Sequence, residues 1–140
     1  MVIRPAGALL MLCCATACGG AHDGMLRVED ARALEALDTT GASAYFTIVN
    51  GTDRDDTLLG IASDVAERIQ IHSGAMQPMA DVPVPAGDAV RLEPGSMHAM
   101  LQHLHAKPVA GDTVVFTLTF RHAGAVTVAA PVVRYRDLQQ

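Results

Sequence analysis

Between residues 44 and 133 the sequence alternates apolar and polar side chains in runs too short for most helices, and turn residues punctuate the runs. Val114 to Arg121 shows the pattern best. Phe116, Leu118 and Phe120 share one parity, and Thr117, Thr119 and Arg121 the other. Successive side chains of a strand project to opposite faces, so a period of two marks a half-buried strand. Ala44 to Val49 alternates around Tyr45, Thr47 and Val49 and breaks at Asn50-Gly51, a strong turn dipeptide. In the run from Val65 to His72, Val65, Glu67, Ile69 and Ile71 share one parity. Ala66, Arg68, Gln70 and His72 form the wetter set, so His72 ends its strand toward water or a rim. Met25–Glu29, Thr57–Ala62, Ala89–Leu92, Met97–Leu104 and Val126–Val133 read as further strands, and Ala31–Leu37 as a helical turn or loop. Pro78, Pro83 and Pro85 mark loops or edge segments, while Pro94-Gly95 and Gly124 mark turns. Many short strands separated by turns predict an all-β fold, an antiparallel sandwich with Greek-key connections.

A chain of 140 residues suffices for one domain with its own core. Half of the residues are apolar, yet there is no Trp and only three Phe and two Tyr, so the core must rest on Val, Ile, Leu, Ala and Met. The formal charge is −5 and no basic run occurs, which removes the electrostatic basis for nucleic-acid binding. Gly-x-Ser-x-Gly, a Gly-rich phosphate loop and His-Glu-x-x-His are all missing. Ser63 and Ser73 have no readable third partner, so no enzyme is expected.

The N-terminus reads as an export signal over residues 1–17. Arg4 supplies a short positive region, and Ala6 to Ala17 an apolar stretch too short to span a bilayer. Ala15-Thr16-Ala17 is a small-residue cleavage pattern followed by Cys18, Gly19 and Gly20. This arrangement resembles the lipobox of bacterial lipoproteins, with Ala15 in place of the usual Leu. The expected product is lipidated at Cys18, tethered by residues 18–24 and folded over 25–140. Ordinary signal-peptidase cleavage after Ala17, leaving a free thiol, is the alternative. Cys13 and Cys14 leave with the signal in either case, so a disulfide framework, a CxxC pair and a Cys-rich zinc site are excluded.

Any metal must then be held by other side chains. His98 and Met100, two apart in a strand, project from the same face as a bidentate pair. Imidazole suits copper, and a soft thioether selects Cu(I) over harder cations. A His-x-Met alone is better explained by a core methionine beside a polar neighbour. His72, however, precedes a loop holding Met76 and Met79 among small and polar residues, where a core role is harder to assign. His103 and His105 fall on the opposite parity to His98 and read as surface or strand-end residues. His122 sits by the Gly124 turn and His22 in the tether. Asp53-Arg54-Asp55-Asp56 is most simply a solvated loop, since its spacing lacks the EF-hand pattern.

Twenty-one residues, 77 to 97, separate Met76 from His98-Ala99-Met100. With His72 upstream, this constellation resembles the periplasmic copper chaperone family often called PCuAC. Ala44-Tyr45-Phe46-Thr47-Ile48-Val49-Asn50, Ala66 to His72, Leu92-Glu93-Pro94-Gly95 and Gly111 to Phe120 extend the likeness over nearly all of residues 25 to 133. The family spaces its first His and Met more widely than the three residues between His72 and Met76 here. The resemblance implies a cupredoxin-like antiparallel Greek-key β-sandwich and Cu(I) held by His72, Met76, His98 and Met100, with Met79 as a substitute for Met76. It further implies a monomeric periplasmic carrier that delivers copper to cytochrome c oxidase assembly. A non-metal interaction lipoprotein, its site degraded by the shortened loop, is the competing expectation.

Overall fold

The alternation of residues 113–120 becomes an edge-to-edge pattern of burial. In a computed structural model that describes residues 23–139, Val114, Phe116, Leu118 and Phe120 are all buried and Thr113, Val115 and Thr119 exposed. The expected signal, Cys18 and His22 lie outside the described residues. Ten strands follow one another: β1 Leu26–Leu34, β2 Gly41–Asn50, β3 Asp56–Ala62, β4 Ala66–His72, β5 Pro78–Met79, β6 Val82–Val84, β7 Ala89–Leu92, β8 His98–Leu104, β9 Thr113–Phe120 and β10 Gly124–Val133. A short 3-10 turn, Tyr135–Gln139, closes the described chain. No helix among the described residues is long and apolar enough to cross a membrane.

The strands are ordered β5-β4-β8-β2-β1-β10-β9-β3-β6, with β7 also pairing β2. The β1–β10 pair is parallel, while every other pair is antiparallel. The sandwich is therefore cupredoxin-like and all-β as expected, except that one parallel pair joins its two halves. Phe46 from β2 and Phe116 from β9 meet across the interior edge to face, with centroids 5.2 Å apart at 83°. Around them pack Ile48, Leu58, Leu92, Leu101, Leu118 and Phe120, all essentially inaccessible. Aliphatic side chains and three Phe rings thus supply the core of a Trp-free chain.

Three expectations need correction. Residues 31–34 continue β1 and form no helical turn: Asp30 takes a φ of +50°, the register slips between Glu29 and Arg32, and Ala33 and Leu34 then pair with Val132 and Val133. The bulge re-aims the strand and turns Ala31 and Ala33 inward. Regular alternation in β8 also fails at His103, whose φ is +53°. His103 is exposed and Leu104 is buried in its stead. Finally, Asp56 is no solvated loop residue. It is 7% exposed, and its carboxylate accepts backbone N–H bonds from Thr57 (2.7 Å), His122 (3.0 Å) and Ala123 (2.8 Å).

Burial alone would raise the Asp56 pKa, but the N–H groups of His122, Thr57 and Ala123, with the His122 charge, hold it below the usual value. A lowered folded-state pKa contributes stability above the unfolded pKa and loses it as the pH falls through the folded value. Asp56→Asn should therefore destabilise the protein at neutral pH by about 1–3 kcal/mol. Its thermal midpoint should also fall less than the parent's on acidification below about pH 4. Parallel acid limbs for the two proteins would contradict this account.

Asn50 performs a comparable task at the end of β2. Fully buried, it donates Nδ2–H to the carbonyls of Arg54 (2.8 Å) and Val84 (3.0 Å) and accepts from Thr52 N (3.1 Å) and Oγ1 (2.7 Å). Gly51 follows because a Cβ there would strike Asp23 Oδ1 and the Met25 carbonyl. Gly24 N–H donates to the Gly51 carbonyl at 2.9 Å, so the chain is already seated on the domain at that point.

Candidate metal centre

β4 and β8 are antiparallel neighbours whose register runs Arg68↔Gln102, Gln70↔Met100 and His72↔His98. Cross-strand partners in such a ladder project to the same face. Ile71 and Ala99, the pair between, are both buried, so His72, His98 and Met100 face outward together. The rings of His72 and His98 lie 5.8 Å apart between centroids, inclined at 63°. On its other flank β8 pairs β2, with Met100 opposite Ser43. Thr40 to Ser43, His72 and Met100 to Gln102 thus line an open groove of about 500 Å³ containing no carboxylate.

The two imidazoles differ in their surroundings. His72 Nδ1 and Nε2 are both shielded from solvent and have no hydrogen-bond partner among the described residues. Buried ring nitrogens are normally paired, because an unpaired one forfeits its hydration. His98 Nδ1 lies 3.0 Å from the Ser96 carbonyl. A carbonyl only accepts, so Nδ1 carries the proton and Nε2 presents its lone pair. Such an outer carbonyl fixes both tautomer and ring plane in metal-binding histidines.

The methionines separate likewise. Met76 is 55% exposed, in the turn between β4 and β5, with a φ of +60°. That turn is closed by Ser73 N–H to Gln77 C=O (2.8 Å) and Met76 N–H to Ser73 C=O (2.9 Å). Met79 pairs with the inward-facing Ile71 and packs against the core, as does Met97. Core packing accounts for Met79, which leaves Met76 as the loop thioether without a packing role. His103, His105 and His122 are exposed and line no part of the groove. Among the described residues no three His, Cys, Asp or Glu side chains gather as a metal site. The donors on offer here are two imidazoles with thioethers, which suit a soft or borderline ion better than a hard one.

Sequence reasoning missed the Ser96 carbonyl, although the Pro94-Gly95 turn two residues before His98 signals it. It also missed Ser43 and Gln70, which flank Met100 and become visible only through strand register.

This all-β sandwich is the architecture of PCuAC domains. The chain superposes on the copper-bound PCuAC domain from PmoF2 with a TM-score of 0.73 and 29% identity, covering 79% of this chain and 94% of that one. It also matches the apo PCuAC domain from PmoF1 with a TM-score of 0.73 and 26% identity, over 79% and 95% of the two chains. The Cu(I) form of DR1885 from Deinococcus radiodurans shares the fold, with a TM-score of 0.64 and 24% identity over 80% and 78%. Residues 26–132 match the family described as "Putative lipoprotein LpqE-like", and the chain belongs to that family. A curated relative, "Putative lipoprotein Lxx21020" of Leifsonia xyli subsp. xyli (strain CTCB07), is 30% identical over 102 residues. The match takes in 66% of this chain and spans 61% of that relative's length.

Proposed function

We propose that the protein is an exported, lipid-anchored copper carrier that holds Cu(I) through His72, Met76, His98 and Met100. The observation that carries this reading is His72, whose two shielded ring nitrogens lack partners directly across the ladder from His98. A soft metal ion held by His72 and His98 would give one of the His72 nitrogens a partner, and Met100, which shares a groove with His72, would supply a thioether donor. The copper-bound PmoF2 domain, at 29% identity, supports copper as the ion. The LpqE-like family supports a lipid anchor, with Cys18 as its site after removal of residues 1–17.

The working step is ligand exchange, without a chemical reaction on a substrate. Thioethers are neutral donors that need no deprotonation and form no disulfides, which suits an oxidising compartment. They also yield copper to thiolate ligands, so an acceptor with cysteine ligands can take it. The dinuclear copper centre of cytochrome c oxidase is the acceptor proposed. Imidazole must be neutral to coordinate, so Cu(I) affinity should fall as the medium is acidified through the range where imidazole protonates.

The test is competition for Cu(I) against a colorimetric chelator, comparing the parent with a His98→Ala/Met100→Leu double variant. The expected result is one-to-one binding by the parent, lost in the variant. A parent that takes no copper from the chelator would overturn the reading and favour a non-metal interaction lipoprotein.

A further inference from the structure

Two turns meet beside His98. The first runs from Glu93 to Met97. Ser96 N–H donates to the Glu93 carbonyl (3.0 Å) and Glu93 N–H to the Met97 carbonyl (2.8 Å). This closed turn aims the Ser96 carbonyl at His98 Nδ1. The second is the Met76-bearing turn. A Cβ built on Gly74 would lie 3.3 Å from the Gly95 carbonyl oxygen, 3.5 Å from Ser96 Cα and 3.7 Å from the Ser96 carbonyl carbon. All three are backbone atoms, which cannot swing aside as a side chain would. Gly74 does not occupy the left-handed region, unlike Gly95, so the position uses the missing side chain rather than backbone freedom.

We infer that Gly74 is a positioning residue for His98. Its bare Cα seats the 73–77 turn on Gly95 and Ser96 and so holds the Ser96 carbonyl where it fixes the His98 tautomer. Nothing else among the described residues hydrogen-bonds the His98 ring. If that carbonyl moves, the proton is free to shift to Nε2, and the nitrogen offered to a metal becomes blocked. The same contact ties the segment carrying Met76 to the segment carrying His98, so one displacement alters the spacing of both donors. The consequence for copper rests on the function proposed above. The tautomer itself is a property of the metal-free protein and is read without copper.

The experiment is nitrogen-15 NMR of the histidine rings in the metal-free protein at a pH where imidazole is neutral, with Cu(I) competition run in parallel. The parent should show His98 protonated at Nδ1 and bare at Nε2. Gly74→Val should move part of the population to the Nε2–H form and weaken Cu(I) binding by about ten- to a hundredfold. Gly74→Ala, the milder intrusion, should shift the tautomer in the same direction by less, and serves if the valine protein does not fold. His122, remote from both turns, reports that the fold is intact. A parent His98 protonated at Nε2, or a folded Gly74→Val protein with an unchanged tautomer, overturns the inference. Should the tautomer respond while neither protein binds Cu(I), the positioning role stands and the copper reading falls.

Discussion

Replacing His72 by leucine should make the metal-free protein more stable and its Cu(I) affinity at least about a hundredfold weaker. The two effects share one cause. The ring nitrogens of His72 have left water without gaining a partner, and leaving a polar group in that state is costly. Leucine has similar bulk, faces a groove it shares with Ala42 and Met100, and has no polar atoms to strand. A gain of about 1–2 kcal/mol in unfolding free energy is expected. The chemical-denaturation midpoint of the metal-free protein and the Cu(I) competition constant together check it. Opposite shifts mark a residue retained for binding at the expense of the fold. If the leucine protein were less stable than its parent, His72 would have a partner after all. The fit between site and ion would then lose its main support.

Phe116→Ala should be the most damaging single core change, costing about 3–5 kcal/mol. Phe116 is fully buried on β9 and meets Phe46 of β2 edge to face across the two halves of the sandwich. With no Trp and only three Phe in the chain, no other large ring is available to fill the space. Small domains have about 5–15 kcal/mol in all, so this loss takes a large share of it. Urea unfolding should show a much lower midpoint with a similar slope. A loss of less than about 1 kcal/mol would mean that the aliphatic neighbours collapse into the gap.

The strand that proved easiest to read, β9, has one face in the core and one outside, so its period of two is explicit in the sequence. Residues 31–34 were harder. Ala-Arg-Ala-Leu carries no strand preference of its own, and its place is set by the bulge at Asp30 and by parallel pairing with a segment about a hundred residues away. His103 is exposed, as its reading as a surface residue requires, but the regular alternation of β8 ends there because a single left-handed residue inverts the faces that follow. Asp56 looked like one of several solvated acids. Its burial follows from three N–H groups, two of them contributed by the distant β9–β10 turn.

At the site, residue types and spacing drew attention to His98 with Met100 and to His72 before a loop of two methionines, and the PCuAC resemblance implied the set His72, Met76, His98 and Met100. Spacing could not supply the register that sets His72 opposite His98, because three strands, β5, β6 and β7, lie between β4 and β8 in the chain. It also could not distinguish Met76 from Met79. That distinction comes from the pairing of Met79 with Ile71, which commits its side chain to the interior.

The register of the β4–β8 ladder is settled before the chain reaches its hairpin tip. Pairs from Ala66↔Leu104 to Ile71↔Ala99 fix where His72 falls, whatever follows Ser73. The tip can therefore lengthen or shorten among relatives without parting the two imidazoles, as exposed loops generally tolerate. Such a hairpin separates two kinds of placement. The imidazole pair is placed by the sheet, whereas the Met76 thioether sits on a segment whose length the ladder leaves free.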